Sequence, residues 1–227
     1  MIGTIINSIT IILASLFGMV VGDRLNDRIK LALIQALGLV VVVIGIDMAL
    51  KTQNILIVIA SILVGTAIGE ILGIEDWLNR VGNRFEQRFS KSRFAEGFVS
   101  STLLFCVGSM AIVGPIQEGL TGDTSVLMAK SMLDGVASIA LASTLGIGVL
   151  FSSISVFIYQ GSITILLGFI EPFVNQIVVN ELTATGGVLI MAIGIKLLEI
   201  KDLRVGNMLP SLLIAPLLVY FLINFIF

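Results

Sequence analysis

The sequence predicts an all-α, polytopic membrane protein with about eight transmembrane helices. Of its 227 residues, 57% are hydrophobic and 12% are charged, whereas a soluble domain is about one-quarter charged. The mean hydropathy of +1.11 leaves too little polar surface to cover the apolar residues in water. The apolar residues also fall into stretches of about 20 residues, the length that a helix needs to cross a bilayer. Together these observations exclude a single water-soluble domain.

Eight apolar stretches follow one another along the chain, separated by short polar segments. The first lacks the basic segment and the small-residue cleavage site of a signal peptide, so we expect it to be retained as a helix. Too few residues remain between the spans for a second folded region, so residues 1–227 are predicted to form a single integral membrane domain. The predicted spans are 3–21, 32–50, 55–73, 98–114, 125–143, 146–168, 182–198 and 208–226.

The basic residues predict the orientation of these spans. Eleven of the 13 Lys and Arg residues fall in or beside the segments after the first, third and seventh spans. Since basic segments mark the cytoplasmic face, the bias predicts an even number of crossings with both termini external. A re-entrant hairpin in place of the fourth and fifth spans would give the same parity and stays open.

The longest segment between spans, residues 74–93, has a helical period of its own. Trp77 and Phe85 fall on one side of that helix, and Arg84 and Arg88 fall on the other. This pattern predicts an amphipathic helix that lies on the cytoplasmic membrane surface. Its simplest role is to anchor the bundle, and binding a partner is the alternative.

The second and third spans resemble the seventh and eighth. Residues 38–46 match residues 187–195, with glycines at the first and eighth position of each. The matched spans lie five apart, an odd number, so the two copies cross the membrane in opposite directions. We therefore predict an inverted-topology repeat of spans one to three and six to eight around a central polar helix pair, an architecture found in secondary transporters. Chance similarity between glycine-containing apolar helices is the alternative.

The central region, residues 96–161, carries polar and ionisable side chains within apolar stretches. Gly114 and Pro115 predict that the fourth span ends or kinks there, which would give a broken or hairpin-like helix pair around 114–124. Backbone groups freed in this way are tolerated at membrane depth only where they face protein or a wet cavity. This region is therefore the predicted lining of a polar pathway.

Two charges stand inside the fifth span. Lys130 and Asp134 are four residues apart and share one helix face. A charge at the bilayer centre costs about 2.5–3.5 kcal/mol on insertion scales, so the pair should face the bundle interior or a wet vestibule. A structural ion pair, a relay for an ion, proton or substrate, and a Lys130 that reaches the surface are the alternatives. The predicted pathway residues are Ser109, Gln117, Glu118, Lys130, Asp134, Ser143 and Gln160.

Long runs of the chain resemble a known family. They are Phe105-Cys-Val-Gly-Ser-Met-Ala-Ile-Val-Gly-Pro-Ile-Gln-Glu-Gly-Leu-Thr-Gly-Asp123, Ala129-Lys-Ser-Met-Leu-Asp-Gly135, Ala142-Ser-Thr-Leu-Gly-Ile-Gly-Val-Leu-Phe-Ser152 and Tyr159-Gln-Gly-Ser-Ile-Thr164, with Gly69-Glu70 and Ile74-Glu75. The resemblance is to the YdfK/YqgA family of bacterial inner-membrane proteins, which carries the label "domain of unknown function" (number five-five-four). It implies a multi-pass protein of the bacterial cytoplasmic membrane, often described in terms of transport. It supplies no substrate and no catalytic or binding residues.

The sequence favours a small secondary transporter or channel for an ion or a small polar solute. A membrane scaffold or sensor subunit without transport activity is the alternative. The chain has 0 His and 1 Cys, so catalysis by a histidine base, a metal site and a bound cofactor are not expected. A net charge of −2 does not favour nucleic acid. The expected partners are the lipid bilayer, a second copy of the chain as a homodimer, and a small polar solute or cation.

Overall fold

The computed structural model describes residues 1–86, 93–107, 109–167 and 175–225, and the secondary structure of those residues is entirely helical. Among these residues, six helices are long and apolar enough to cross a membrane, by length and composition. They are Ile2–Asp23, Leu31–Ala49, Ile55–Leu72, Ser125–Leu145, Gly148–Ile165 and Gln176–Leu197. In chain order the helices are α1 (Ile2–Asp23), α2 (Asp27–Ala49), α3 (Ile55–Leu72), α4 (Ile74–Glu86), α5 (Phe94–Cys106), α6 (Ser109–Thr121), α7 (Ser125–Leu145), α8 (Gly148–Ile165), α9 (Gln176–Leu197), α10 (Val205–Met208) and α11 (Ser211–Phe225).

The fourth predicted span is not one straight helix. The chain is bent by 54° between α5 and the helix that follows. Neither helix alone is long enough to cross a membrane, but the two together are, and counting them as one crossing gives seven candidate spans. The fourth span does not end at Gly114–Pro115, because Pro115 lies inside α6, which ends at Thr121 within the predicted stretch 114–124. The turn comes earlier, where Val107 leaves the helix with an extended backbone (φ −99°, ψ 128°).

Two other predicted elements are only partly found. The last predicted span corresponds to a shorter apolar helical stretch, Val205–Phe221, so eight spans are not confirmed. The predicted surface helix 74–93 is helical over Ile74–Glu86, and its residues 87–92 lie outside the described residues. In α4 the side chain of Leu78 is buried, whereas Trp77 is 57% exposed.

The chain forms two compact units. Unit 1 consists of Met1–Leu37 and Asn79–Gly168, and it holds α1, α5, α6, α7 and α8. Unit 2 consists of Gly38–Leu78 and Phe169–Phe227, and it holds α3, α9, α10, α11 and most of α2. The single membrane domain stays a prediction.

In unit 1, α1 runs parallel to α7 at close range. A Cβ atom on Gly18 would lie 2.5 Å from the carbonyl oxygen of Ile139, and Gly22 meets the backbone of Ser143 in the same way. The glycines therefore let the two backbones touch, as small residues do in membrane helix pairs.

The bent pair α5–α6 follows α8 from its start to its end. Gly148, the first residue of α8, meets the carbonyl of Phe94 at the start of α5. Near the other end of α8, the Thr164 hydroxyl donates to the carbonyl oxygen of Pro115 in α6 at 3.3 Å. The two short helices together thus match the length of one long helix.

In unit 2, α2 and α9 run antiparallel and meet at two pairs of glycines. A Cβ atom on Gly194 would lie 2.8 Å from the carbonyl oxygen of Gly38, and one on Gly187 would lie 2.7 Å from that of Gly45. On the neighbouring side of the unit, Gly69 of α3 meets the backbone of Asn207 in α10. Unit 2 is therefore also held together by backbone-to-backbone approach.

Candidate functional site

Four polar side chains from three helices of unit 1 meet in its interior, and we call them the polar cluster. Asn7 comes from α1, Lys130 and Asp134 come from α7, and Gln160 comes from α8. Their exposed fractions are 0%, 5%, 6% and 0%. They meet because the buried face of α1 is made of small residues beside Asn7, which allows α7 and α8 to approach.

The two charges of the cluster form a bidentate ion pair. The Nζ of Lys130 donates to Oδ1 and Oδ2 of Asp134 at 2.9 Å and 2.7 Å. The Nδ2 of Asn7 donates to Asp134 Oδ2 at 3.0 Å and lies 3.5 Å from Oε1 of Gln160. Asp134 is thus the centre of the cluster, with a cation on one side and a neutral amide on the other.

Several polar atoms in and around the cluster lack a hydrogen-bond partner among the described residues. In the cluster itself they are Oδ1 of Asn7 and Nε2 of Gln160. Thr4, one turn before Asn7 on α1, and Ser138, one turn after Asp134 on α7, each have an unpartnered hydroxyl. Unit 2 also has unpartnered buried hydroxyls, those of Ser61, Thr66, Thr183, Thr185 and Ser211. The feature particular to the polar cluster is therefore its unpartnered amide atoms, since buried polar groups are nearly always hydrogen-bonded.

A second carboxylate lies between this cluster and the end of the unit. Glu118 on α6 is 6% exposed. Its Oε1 accepts from the backbone N–H of Gly3 at 2.8 Å and lies 3.0 Å from the amino nitrogen of Met1. Its Oε2 has no partner in the part of the chain that the structure describes. Glu118 therefore also retains hydrogen-bonding capacity in a buried position.

Gln117, in the last turn of α6, contacts the exposed Asp123 in the turn between α6 and α7. Gln117 Nε2 donates to Asp123 Oδ2 at 2.6 Å. Asp123 also accepts from the backbone N–H of Ser125 at 2.9 Å and from its hydroxyl at 3.1 Å. These hydrogen bonds, the backbone one first, hold the pKa of Asp123 below its ordinary value. The turn thus keeps a negative charge beyond the buried carboxylate of Glu118.

The structure brings Lys130, Asp134 and Gln160 together and leaves the other predicted residues apart. Glu118 and Gln117 lie at the end of unit 1 just described. Ser143 lies beyond Asp134 toward the other end of α7, where its hydroxyl donates to the carbonyl of Ala140 at 2.8 Å. Ser109 opens α6, and its side chain lies outside the described residues.

Asn7 is the functional candidate that the sequence analysis missed. It lies within the first predicted span and looks there like one polar residue near a helix end. The available signal was its spacing, because Thr4, Asn7, Ser8, Ile11 and Ser15 repeat at three or four residues and make one buried face. Only the packing of α1 on α7 reveals which partner this face meets.

Unit 2 holds buried polar groups of a different kind. Glu181 on α9 is 0% exposed, and its two carboxylate oxygens accept from the Thr52 hydroxyl at 2.7 Å and from the backbone N–H groups of Gln53 and Asn54 at 2.6 Å and 3.0 Å. Asn54 is in turn the N-cap of α3. The carboxylate therefore binds the N-terminal turn of that helix, where negative charge is favoured.

The opposite end of α3 has a second hydrogen-bonded network. Asn207 accepts from the backbone N–H of Glu75 at 2.7 Å and donates to Glu70. Glu75 accepts from the N–H of Gly206 at 2.6 Å and lies 3.3 Å from the Nζ of Lys196. Both functional atoms of Asn207 and both carboxylate oxygens of Glu75 are thus occupied.

Arg204 closes this network on its exposed side. It forms ion pairs with Asp76, at 2.7 Å, and with Glu70. The two carboxylates, that of Asp76 first, raise the pKa of the Arg204 guanidinium. Within the described ranges no group of three or more His, Cys, Asp or Glu side chains could hold a metal ion.

Comparison with known proteins gives a family and two curated relatives. The sequence model of the family described as "Protein of unknown function (DUF554)" matches residues 2–220. The chain is 38% identical over 226 residues to the "Uncharacterized membrane protein YdfK" of Bacillus subtilis (strain 168), covering 97% of this chain and 96% of that protein. It is 34% identical over 221 residues to the "Uncharacterized protein YqgA" of Escherichia coli (strain K12), covering 94% of each. No solved structure matches the chain.

Proposed function

The chain belongs to the DUF554 family, and we propose that it is a small secondary transporter or channel for an ion or a small polar solute. The pathway passes between α1, α7 and α8 of unit 1, beside the polar cluster. One observation carries this proposal: Asn7, Gln160 and Glu118 are buried, and each keeps an amide or carboxylate atom without a partner among the described residues. Groups of this kind are the ones that a passing polar solute can bind.

Unit 2 supplies the contrast that supports this interpretation. Glu181 is as deeply buried as Asn7 and Gln160, yet its two oxygens are both hydrogen-bonded, as are those of Glu75. A buried carboxylate that serves only stability is expected to be fully satisfied. The carboxylates of Glu181 and Glu75 meet this expectation and that of Glu118 does not. Unit 2 has unpartnered hydroxyls of its own, but its buried carboxylates are satisfied, and this difference favours unit 1 as the functional part.

The energetic cost of the ion pair points in the same direction. Replacing a buried ion pair with apolar residues is often neutral or stabilising by about 1–4 kcal/mol. Stability alone is therefore a weak explanation for the Lys130–Asp134 pair. Its presence beside partnerless amide atoms supports a role in binding.

The inverted repeat is part of the same proposal. The sequence alignment pairs Gly38 with Gly187 and Gly45 with Gly194. In unit 2, Gly38 contacts Gly194 and Gly45 contacts Gly187, so exchanging each glycine for its counterpart turns one contact into the other. This is the pattern that a local two-fold axis between α2 and α9 would produce, and it supports copies of opposite orientation.

Counting the bent pair α5–α6 as one crossing and α10–α11 as another gives eight crossings in all. That number agrees with the charge bias, which favours both termini outside the bacterial cytoplasmic membrane. The parallel packing of α1 on α7 also agrees, because the first and fifth crossings run in the same direction. A homodimer in the membrane remains part of the proposal, and no catalytic residues are assigned.

Cysteine accessibility tests the pathway without knowledge of the substrate. Cys106 is the only cysteine, so Cys106→Ala gives a cysteine-free background. In that background Thr4→Cys and Ser138→Cys place thiols at the predicted pathway, while Val136→Cys, at a position 71% exposed on the apolar face of α7, places one against lipid. Asp123→Cys on the exposed turn is the fully accessible reference.

A water-soluble maleimide applied to open membrane sheets should label the two pathway thiols faster than the lipid-facing one. The reason is that the reactive thiolate forms only where water reaches the sulfur. Equal, slow labelling at Thr4, Ser138 and Val136 would refute the pathway. That result would favour the scaffold or sensor alternative.

A further inference from the structure

We propose that the transported species includes a small monovalent cation, which binds to Asp134 in one-for-one exchange with a proton of Lys130. This inference rests on the proposed function and names the substrate class for the same site. It is carried by the position of the Lys130 ammonium on the Asp134 carboxylate and by the oxygen atoms that remain free around it.

The atoms around Asp134 suit a small cation. The Lys130 Nζ lies on both carboxylate oxygens, at 2.7 Å and 2.9 Å, so a positive charge already occupies the site. The unpartnered atoms nearby are mainly oxygens: the amide oxygen of Asn7 and the hydroxyls of Thr4 and Ser138. Carboxylate, amide and hydroxyl oxygens replace the hydration shell of hard cations.

The number of carboxylates in the polar cluster indicates the charge of the cation. The cluster contains one carboxylate, and no group of three or more acidic, Cys or His side chains is found within the described ranges. A divalent ion at Asp134 would leave a net positive charge in the interior, even after Lys130 had become neutral. A monovalent ion replaces the charge of the ammonium one for one.

Charge balance also gives the stoichiometry. With Lys130 protonated and Asp134 ionised, the pair is neutral, and an added cation would leave one buried positive charge. Neutrality returns when an N–H bond of the ammonium breaks, the electron pair stays on Nζ and the proton leaves to solvent. The amine remains, and the cation takes its place at the carboxylate.

Other titratable groups face this pair from the neighbouring helices. Cys106 on α5 lies within electrostatic reach of both Lys130 and Asp134, and Tyr159 on α8 lies near Cys106. Thiol and phenol side chains are ordinarily uncharged near pH 7. Glu118 on α6 keeps one oxygen unpartnered, so it can hold the cation on the way to the cluster.

The experiment uses the full-length protein in liposomes that contain a pH-sensitive dye. A pulse of external NaCl, LiCl or KCl should drive protons out of the lumen, and N-methylglucamine chloride at the same concentration should not. The exchange should be insensitive to an imposed membrane potential, because each turnover moves no net charge. In weakly buffered detergent solution, cation binding to the purified protein should release one proton per bound ion.

Lys130→Arg is the sharpest variant. Arginine forms the same bidentate pair with a carboxylate but does not deprotonate, so the variant should fold and lose cation-driven proton movement. The matched control is Lys51→Arg, since Lys51 pairs with Asp47 at the same four-residue spacing at 3.3 Å, on the surface. This control should exchange at the wild-type rate. Asp134→Asn should lose cation binding altogether.

Two results would overturn the inference. One is wild-type exchange in folded Lys130→Arg. The other is the absence of cation-driven proton movement and proton release in wild-type protein whose cysteine labelling shows an accessible pathway. The second result leaves the proposed function standing with a different solute, whereas failure of the labelling experiment removes both. If Lys130→Arg does not fold, proton release by the wild-type protein alone decides.

Discussion

Removing one partner of the Lys130–Asp134 pair should cost more stability than removing both. Both residues are buried, at 5% and 6% exposed. Lys130→Met leaves an unpaired buried carboxylate, a change that costs about 3–5 kcal/mol in comparable sites. The double variant Lys130→Met/Asp134→Leu removes both charges, which is often neutral or stabilising by about 1–4 kcal/mol. It also deprives the Asn7 amide of its acceptor, a loss of about 0.6 kcal/mol for a hydrogen bond between membrane helices.

The wild-type protein and the double variant are therefore expected to have similar free energies of unfolding. That of Lys130→Met should be well below both. The measurement is an SDS titration in mixed micelles, followed by far-ultraviolet circular dichroism. Lys51→Met is the control, because the Lys51–Asp47 pair is 47% and 74% exposed and such pairs contribute less than about 1 kcal/mol. The reasoning fails if Lys130→Met costs no more than Lys51→Met. A stable double variant that has lost cation exchange would separate the pair's function from its structural role.

Two further changes test the packing of unit 2 in the same titration. Gly69→Ala forces a Cβ into the Asn207 backbone and should lower the free energy of unfolding by about 1–3 kcal/mol. The control is Gly161→Ala, whose Cβ would meet only the flexible end of a methionine at 3.1 Å and which should leave that free energy unchanged or raise it by up to about 1 kcal/mol. Equal effects of the two changes would contradict the close approach of Gly69 to Asn207. Glu181→Ala leaves the N–H of Gln53 without its acceptor, whereas the N–H of Asn54 keeps Oγ1 of Thr52 at 3.1 Å. The change should cost about 1–3 kcal/mol, so a loss below about 0.5 kcal/mol would show that water replaces the carboxylate.

The fold class and the helix-forming segments could be predicted from the sequence because the bilayer imposes one dominant constraint. Long apolar stretches with few charges have to be helical, and the first three spans lie close to α1, α2 and α3. The break in the fourth span could not be placed, because Pro115 is a strong local signal that proved compatible with a helix. The actual turn begins at Val107, which directly precedes Gly108 in the sequence. Gly108 is one of several glycines in the central region, so the sequence alone did not single it out.

The residues of the candidate site on α7 and α8 were predicted from the sequence, whereas the contribution of α1 was not. Lys130 and Asp134 stand out because charges are rare in spans, and their spacing already implies an ion pair. Asn7 is uncharged and lies 127 residues from Asp134 in sequence, so only the packing of α1 on α7 brings the two together. Ser143 is on the same helix as Asp134 but lies toward the other end of α7, away from the polar cluster. Residue type alone does not reveal this.

The packing of α1 on α7 also indicates where such a protein would have to open. Toward the C-terminal end of α1, Gly18 and Gly22 bring its backbone against that of α7, which leaves no room for side chains or solvent between the helices. Toward the N-terminal end the same two helices are separated by Asn7 and the ion pair. In the proposed pathway the glycine end would be the closed end, and release of a bound cation there would require α1 and α7 to separate. Close backbone packing of this kind stabilises membrane helix pairs, so the cost of opening would have to be met by a ligand that binds the open state more tightly than the closed one.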